Sequence, residues 1–98
     1  MPTNPDPRLP VNQAARLFAL LADETRLRLL GLLRATGGRE GVASGDLAKA
    51  IRMSESALSH QLQRLRLAGV VTCRREGQNV FYSLGQGPAR DILRDVLP

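Results

Sequence analysis

Apolar positions recur along this chain in two periods, and the change of period divides it into elements. From Val11 to Ala22 the residues Val11, Ala14, Ala15, Phe18, Leu21 and Ala22 form one helical stripe. Leu17 and Leu20 widen that stripe beyond the usual arc. Asp23 and Thr25 punctuate, and Thr25 to Ala35 predicts a second helix marked by Leu27, Leu30 and Leu33 or Arg34. Gly37-Gly38 ends it. Arg39 to Ser44 is short and Gly-flanked, with Val42-Ala43 as a minimal strand.

The stretch Asp46 to Gly69 carries two apolar-periodic segments around a polar break at Arg52-Met53-Ser54. The first holds Leu47, Ala50 and Ile51 and is expected to be capped by Ser44. The second holds Leu58, Leu62 and Leu65, whose i, i+4, i+7 spacing puts them on one face. Ser54 stands where its hydroxyl can cap this helix, and Gly69 stands where a glycine stops it. Two helices joined by about three or four residues, the second capped and amphipathic, predict a helix-turn-helix.

The period then falls to two. Val70 to Arg75 and Val80 to Leu84 read as strands joined by a turn at Glu76-Gly77-Gln78-Asn79. A basic hairpin directly after such a helix is a wing. Gly87-Pro88 opens a last helix, Ala89 to Leu97, with Ile92, Leu93, Val96 and Leu97 apolar. The fold class expected is therefore mainly α with a small β-hairpin: a winged helix-turn-helix of order α-α-(short β)-α-α-β-β-α. Residues 1–10 hold four prolines and read as a flexible arm, leaving 11–98 as one domain. The first and last helices carry more apolar surface than a chain of 98 residues covers alone. Val11, Phe18, Leu21, Ile92, Leu93 and Val96 are accordingly expected at a homodimer interface.

Charge gives the second helix of the helix-turn-helix its use. The chain has a net charge of +5, and 13 of its 14 basic residues are Arg, the residue suited to bidentate phosphate and guanine contacts. Leu47 to Leu84 alone holds Lys49, Arg52, Arg64, Arg66, Arg74 and Arg75 against Glu55 and Glu76, the footprint of a nucleic-acid face. After Glu55, no acid follows through Gly69, where a merely solvated helix would mix in acidic i, i+4 partners. Ser54, which begins this helix, is expected among its DNA-binding residues. Ser56, Ser59, His60 and Gln63 are expected at base edges of double-stranded DNA, and Arg64 at a phosphate. Arg74, Arg75, Gln78 and Asn79 place the wing along the backbone or in the minor groove.

The chemistry-bearing residues are few. One Cys and one His, with no phosphate loop, assemble no catalytic constellation, so no enzyme and no cofactor are expected. Cys73 shares a strand face with Val71 and Arg75. It reads as a small half-buried apolar residue, or as a thiol switch in which Arg74 and Arg75 stabilise a thiolate. Such a switch needs an intersubunit disulfide or an external thiol. No apolar run approaches about 18 residues and no charged-then-apolar leader is present. The cytoplasm is the expected location, with no membrane contact.

Three runs together carry a family resemblance: LADETRLRLLGLL (Leu21 to Leu33), SESALSHQLQRLRLAGVV (Ser54 to Val71) and RREGQNVFYSL (Arg74 to Leu84). In that order and spacing the chain resembles the ArsR/SmtB family of bacterial repressors. The resemblance implies a winged helix-turn-helix that dimerises through its first and last helices and sits on a palindromic operator near its own gene. A small-molecule or redox inducer would then lower its DNA affinity. His60 resembles the family's Ser-His pair in the recognition helix.

The family's metal-sensing positions depart from its pattern. Its Cys-Val-Cys-Asp-Leu run, aligned on Asp46-Leu47, puts Ala43 and Gly45 where the cysteines stand. Its Asp-x-His pattern in the last helix meets Asp91-Ile92-Leu93, with leucine in the ligand position, and the chain stops at Pro98 before the second ligand pair. Zinc typically needs four donors, so no metal site is expected. The rival reading is a winged helix that docks on proteins without touching DNA.

Overall fold

Leu58, Leu62 and Leu65 turn one stripe of a helix into the core, each essentially sealed from solvent, and the other elements pack around them. The computed structural model describes residues 8–36 and 38–98. Its elements are α1 (Val11–Leu21), α2 (Glu24–Thr36), β1 (Val42–Ala43), α3 (Ser44–Ile51), α4 (Glu55–Leu67), β2 (Val71–Glu76), β3 (Asn79–Leu84) and α5 (Pro88–Val96). The strands form one antiparallel sheet of order β1-β3-β2. This is the winged helix-turn-helix order that the periodicity predicts. Of the proline-rich arm, only Arg8, Leu9 and Pro10 fall within the described residues, and they form no regular element; Gly37 also lies outside them.

The core is almost entirely leucine. Leu29, Leu30 and Leu33 of α2 and Leu47 and Ala48 of α3 meet the α4 stripe, while Val70, Val71, Ala89 and Leu93 close the other side. Each fully buried leucine contributes about 1.5–3 kcal/mol over leaving it exposed. Among the described residues no polar or charged residue is fully buried.

Two backbone devices fix where α4 ends and where the wing begins. Gly69 adopts φ +75°, and the chain closes α4 with bonds from Gly69 N–H to Arg66 O (3.0 Å) and Val70 N–H to Leu65 O (2.9 Å). That is the Schellman arrangement, which needs a left-handed residue after the helix. Gly85 then brings the end of β3 against the Gly69 backbone so closely that a Cβ there would collide with the Gly69 carbonyl. Its N–H donates to Val70 O at 2.8 Å. The α4 terminus and the base of the wing are thereby tied together.

Several sequence expectations are corrected. Ser44 does not cap α3 but lies inside it, because β1 runs straight into the helix; Ala43, paired with Phe81 and extended at φ −61° and ψ 141°, is the cap residue and makes no side-chain bond. On α3 the buried pair is Leu47 and Ala48; Ala50 is exposed and Ile51 half-buried. In α2, Leu29 is a core residue that the expected stripe omitted, whereas Leu27 and Arg34 are half-buried. Leu21 and Leu93 cannot serve a dimer interface: at 5% and 0% exposure, the protomer's own core already occupies them.

Candidate nucleic-acid interface

The polar face of α4 is a consequence of its buried one. With three leucines inward, Ser56, Ser59, His60, Gln63 and Arg64 stand exposed on the remaining arc. The helix starts sharply because Ser54, extended at φ −66° and ψ 153°, accepts the Ala57 N–H on its Oγ at 3.1 Å. Ser54 and Ser56 hydroxyls lie 3.4 Å apart at this start. Glu55 occupies the first turn and Arg64 and Arg66 the last, each with the sign that complements the helix dipole. The exposed arc thus bears hydroxyls at its start, His60 and Gln63 further along, and arginines at its end.

The turn before α4 is tight. Arg52 is the only described non-glycine residue with positive φ (59°), and Met53 N–H reaches back to Ala48 O at 3.1 Å. This left-handed residue redirects the chain from α3 into α4 within three residues, Arg52 to Ser54. It also leaves the Arg52 side chain exposed beside the α4 start.

A side-chain bridge that the sequence pattern did not reveal holds α4 from behind. Arg26, near the start of α2, donates through Nε to Leu20 O and through an Nη to Gln61 Oε1 at 3.4 Å. The Asp23 carboxylate accepts the Arg26 N–H at 2.9 Å and so caps α2. One half-buried guanidinium therefore joins the end of α1, the start of α2 and the flank of α4. The local signal was thin: Gln61 sits beside the leucine stripe, on the edge between core and solvent.

In the wing, Glu76 pairs opposite Asn79, so Gly77-Gln78 forms the turn. Arg75, Gln78 and Asn79 are exposed there. Arg74 is otherwise engaged. Its guanidinium bonds Glu76 Oε2 at 2.6 Å, donates to Glu40 O at 3.1 Å and lies 4.7 Å from the Phe81 ring centroid. These contacts brace the wing against the chain leading into β1, and they revise the expectation that Arg74 is a free DNA-contacting cation like Arg75. Cys73 is half-buried and pairs opposite Tyr82.

The expected dimer residues divide by exposure. Val11 (86%), Phe18 (57%) and Val96 (64%) are large apolar groups left in solvent, and Ile92 is half-buried. Leu67, at 83% exposure, was not anticipated because it lies off the α4 stripe. It borders an apolar groove of about 650 Å³ between α1, the end of α4 and the start of α5, with Leu9, Leu17 and Leu20 opposite. Among the described residues no group of three or more His, Cys, Asp or Glu is gathered to hold a metal, and no helix is long and apolar enough to cross a membrane.

Residues 21–74 match the model of a helix-turn-helix domain family. Over 84 residues the chain is 44% identical to a transcriptional repressor SmtB homolog of Synechocystis, covering 86% of this chain and 61% of that one. It is 33% identical to the transcriptional repressor SdpR of Bacillus subtilis, covering 83% and 86% respectively. The solution structure of a homodimeric winged helix-turn-helix DNA-binding domain from Mycobacterium bovis, a possible ArsR-family regulator, superposes with a TM-score of 0.76. That match is 30% identical and covers 88% of this chain and 76% of the other.

Proposed function

Because the chain belongs to the ArsR/SmtB family of winged helix-turn-helix transcriptional regulators, we propose that it is a homodimeric repressor whose α4 helices read a palindromic operator. The observation that carries this reading is the exposed arc of α4, free of acids after Glu55 and held outward by three buried leucines. In a two-fold dimer the two α4 helices would enter successive major grooves about 34 Å apart. Ser56, Ser59, His60 and Gln63 then meet base edges, and an amide such as Gln63 is suited to pair bidentately with adenine. Arg64 at the end of α4 and Arg75 in the wing take phosphates, which set register and carry the salt dependence. Arg74 acts indirectly, by holding the wing at its angle.

The exposed apolar stripe Val11, Ala15, Phe18 and Ala22, with Ile92 and Val96 of α5, forms the dimer surface in this reading. Release from the operator follows an inducer of a kind other than a metal held by the family's usual cysteines and histidines, since Ala43, Gly45 and Leu93 occupy those positions. Fluorescence anisotropy with a duplex taken from upstream of the protein's own gene tests the proposal against a scrambled duplex. Preferential binding with two protomers per duplex is the expected result. Equal, weak binding to both, for duplexes tiled across the whole upstream region, would overturn it in favour of a protein-docking module.

A further inference from the structure

Away from α4 and the wing turn, the surface carries a second basic feature, of which the DNA reading uses only Arg74. Two adjoining hollows, of about 300 and 580 Å³, open between the end of α2, the base of the sheet and the start of α5. They share Gly38, Leu84 and Arg90 and so lie side by side as the two halves of one basic cleft. Five arginines line it, Arg34, Arg39, Arg74, Arg90 and Arg94, against a single acid, Asp91. That acid is already taken, because Arg94 lies 3.3 Å from it and 3.2 Å from Asp95. Arg74 is held by Glu76. Among the described residues no carboxylate comes within ion-pairing distance of Arg34, Arg39 or Arg90.

Arg34 adds a second observation. Its Nε is sealed from solvent and has no hydrogen-bond partner. That nitrogen is closed to any ligand, but the Arg34 guanidinium also lines the smaller hollow without a carboxylate partner, and such a group gains charge-assisted bonds when an oxyanion enters. Guanidinium forks match the geometry of phosphate oxygens, and the cleft's volume lies at the scale of small-ligand sites.

We propose that this cleft is a binding site for a compact multivalent oxyanion, a phosphate-bearing small molecule, with Arg34 and Arg90 as its principal ligands. Arg90 borders both hollows, and Arg34 lines the smaller one with no carboxylate partner. The proposal goes beyond the DNA-binding reading and does not rest on it, since binding is read on the DNA-free protein.

The test is calorimetric titration of the full chain with inorganic pyrophosphate at constant ionic strength. Adenosine diphosphate serves as a parallel probe carrying the same group on an organic body. One pyrophosphate per protomer is expected, and Arg34→Gln and Arg90→Glu should each weaken binding about tenfold or more, as loss of a charge-assisted bond implies. Arg28→Glu, an exposed α2 position paired with Glu24 at 3.4 Å, matches the charge change outside the cleft and should leave affinity within about twofold. Arg90 is exposed, so its variant keeps the test decisive if the Arg34 variant fails to fold. Tighter binding of adenosine diphosphate than of pyrophosphate would assign the source as a phosphorylated metabolite, and the reverse would assign the bare anion. Absence of binding heat for both probes, or equal weakening by Arg28→Glu, would overturn the site. Loss of duplex affinity in Arg90→Glu without pyrophosphate binding by the native chain would overturn it as well, giving these arginines to the DNA backbone.

Discussion

Ser54 links local structure to the proposed function in one hydroxyl. It supplies the acceptor that lets α4 begin at Glu55, immediately before the outward-facing Ser56. Ser54→Ala should cost about 1 kcal/mol, the usual cost of losing such a cap. In a chain of this size that lowers the thermal midpoint by about 4–8 °C. An unchanged midpoint would contradict the capping role. Arg74 and Arg75 show how adjacent residues of one type part company. A strand alternates its faces, so the two guanidinium groups leave β2 on opposite sides. Arg74 finds Glu40 O, 34 residues away in sequence, and the Phe81 ring, while Arg75 remains in solvent. The local pattern assigns both to DNA because composition registers charge and is blind to a long-range acceptor.

At the scale of elements, α1 and α5 divide their apolar residues between the protomer's core and its surface. Along α1, Leu17, Leu20 and Leu21 pack inward, while Val11, Ala15, Phe18 and Ala22 stay exposed. Along α5, Leu93 is wholly buried and Val96 is 64% exposed. Phe18→Glu should therefore abolish the dimer while leaving a folded monomer, visible as a halved mass by sedimentation with an intact circular dichroism spectrum. A variant that remains dimeric would remove α1 from the interface. Leu93→Ala should act through the fold, costing about 2–5 kcal/mol through the cavity it leaves. A melting temperature equal to the native one would contradict its place in the core.

These helices also mark what the sequence makes legible. In α4 the apolar residues that matter occupy one arc, so Leu58, Leu62 and Leu65 and the polar face opposite them were readable from spacing alone. In α1 the apolar arc is wider than usual, and periodicity cannot choose which part of it the protomer keeps for itself. The pattern therefore assigns Leu21 to the interface, and it assigns Leu93 there because α5 is likewise rich in apolar residues. Gly69 was readable as a stop because α4 needs a left-handed residue there. The Arg26 bridge was not readable, since Leu20 and Gln61 are brought to it only by tertiary packing.

In the proposed function the whole molecule has two tasks in two regions: α4 would read sequence, and the wing and the end of α4 would neutralise phosphates. The basic excess of Leu47 to Leu84 supplies the second task in any winged helix that meets DNA. Only the first task makes the protein a regulator of particular genes. The two separate experimentally, because phosphate contacts weaken with salt and are indifferent to sequence, whereas base contacts change the ratio between duplexes. The most direct measurement compares the native chain with Gln63→Ala and Arg75→Ala by anisotropy, on operator and scrambled duplexes across a range of salt. Gln63→Ala should reduce the operator-to-scrambled affinity ratio by about tenfold per half-site, the lower part of the range for a lost bidentate base contact, and leave the salt slope unchanged. Arg75→Ala should weaken both duplexes alike and make the slope shallower by about 0.9 per protomer. An affinity ratio unmoved by Gln63→Ala and by alanine at Ser56, Ser59 and His60 would contradict the claim that α4 reads the operator.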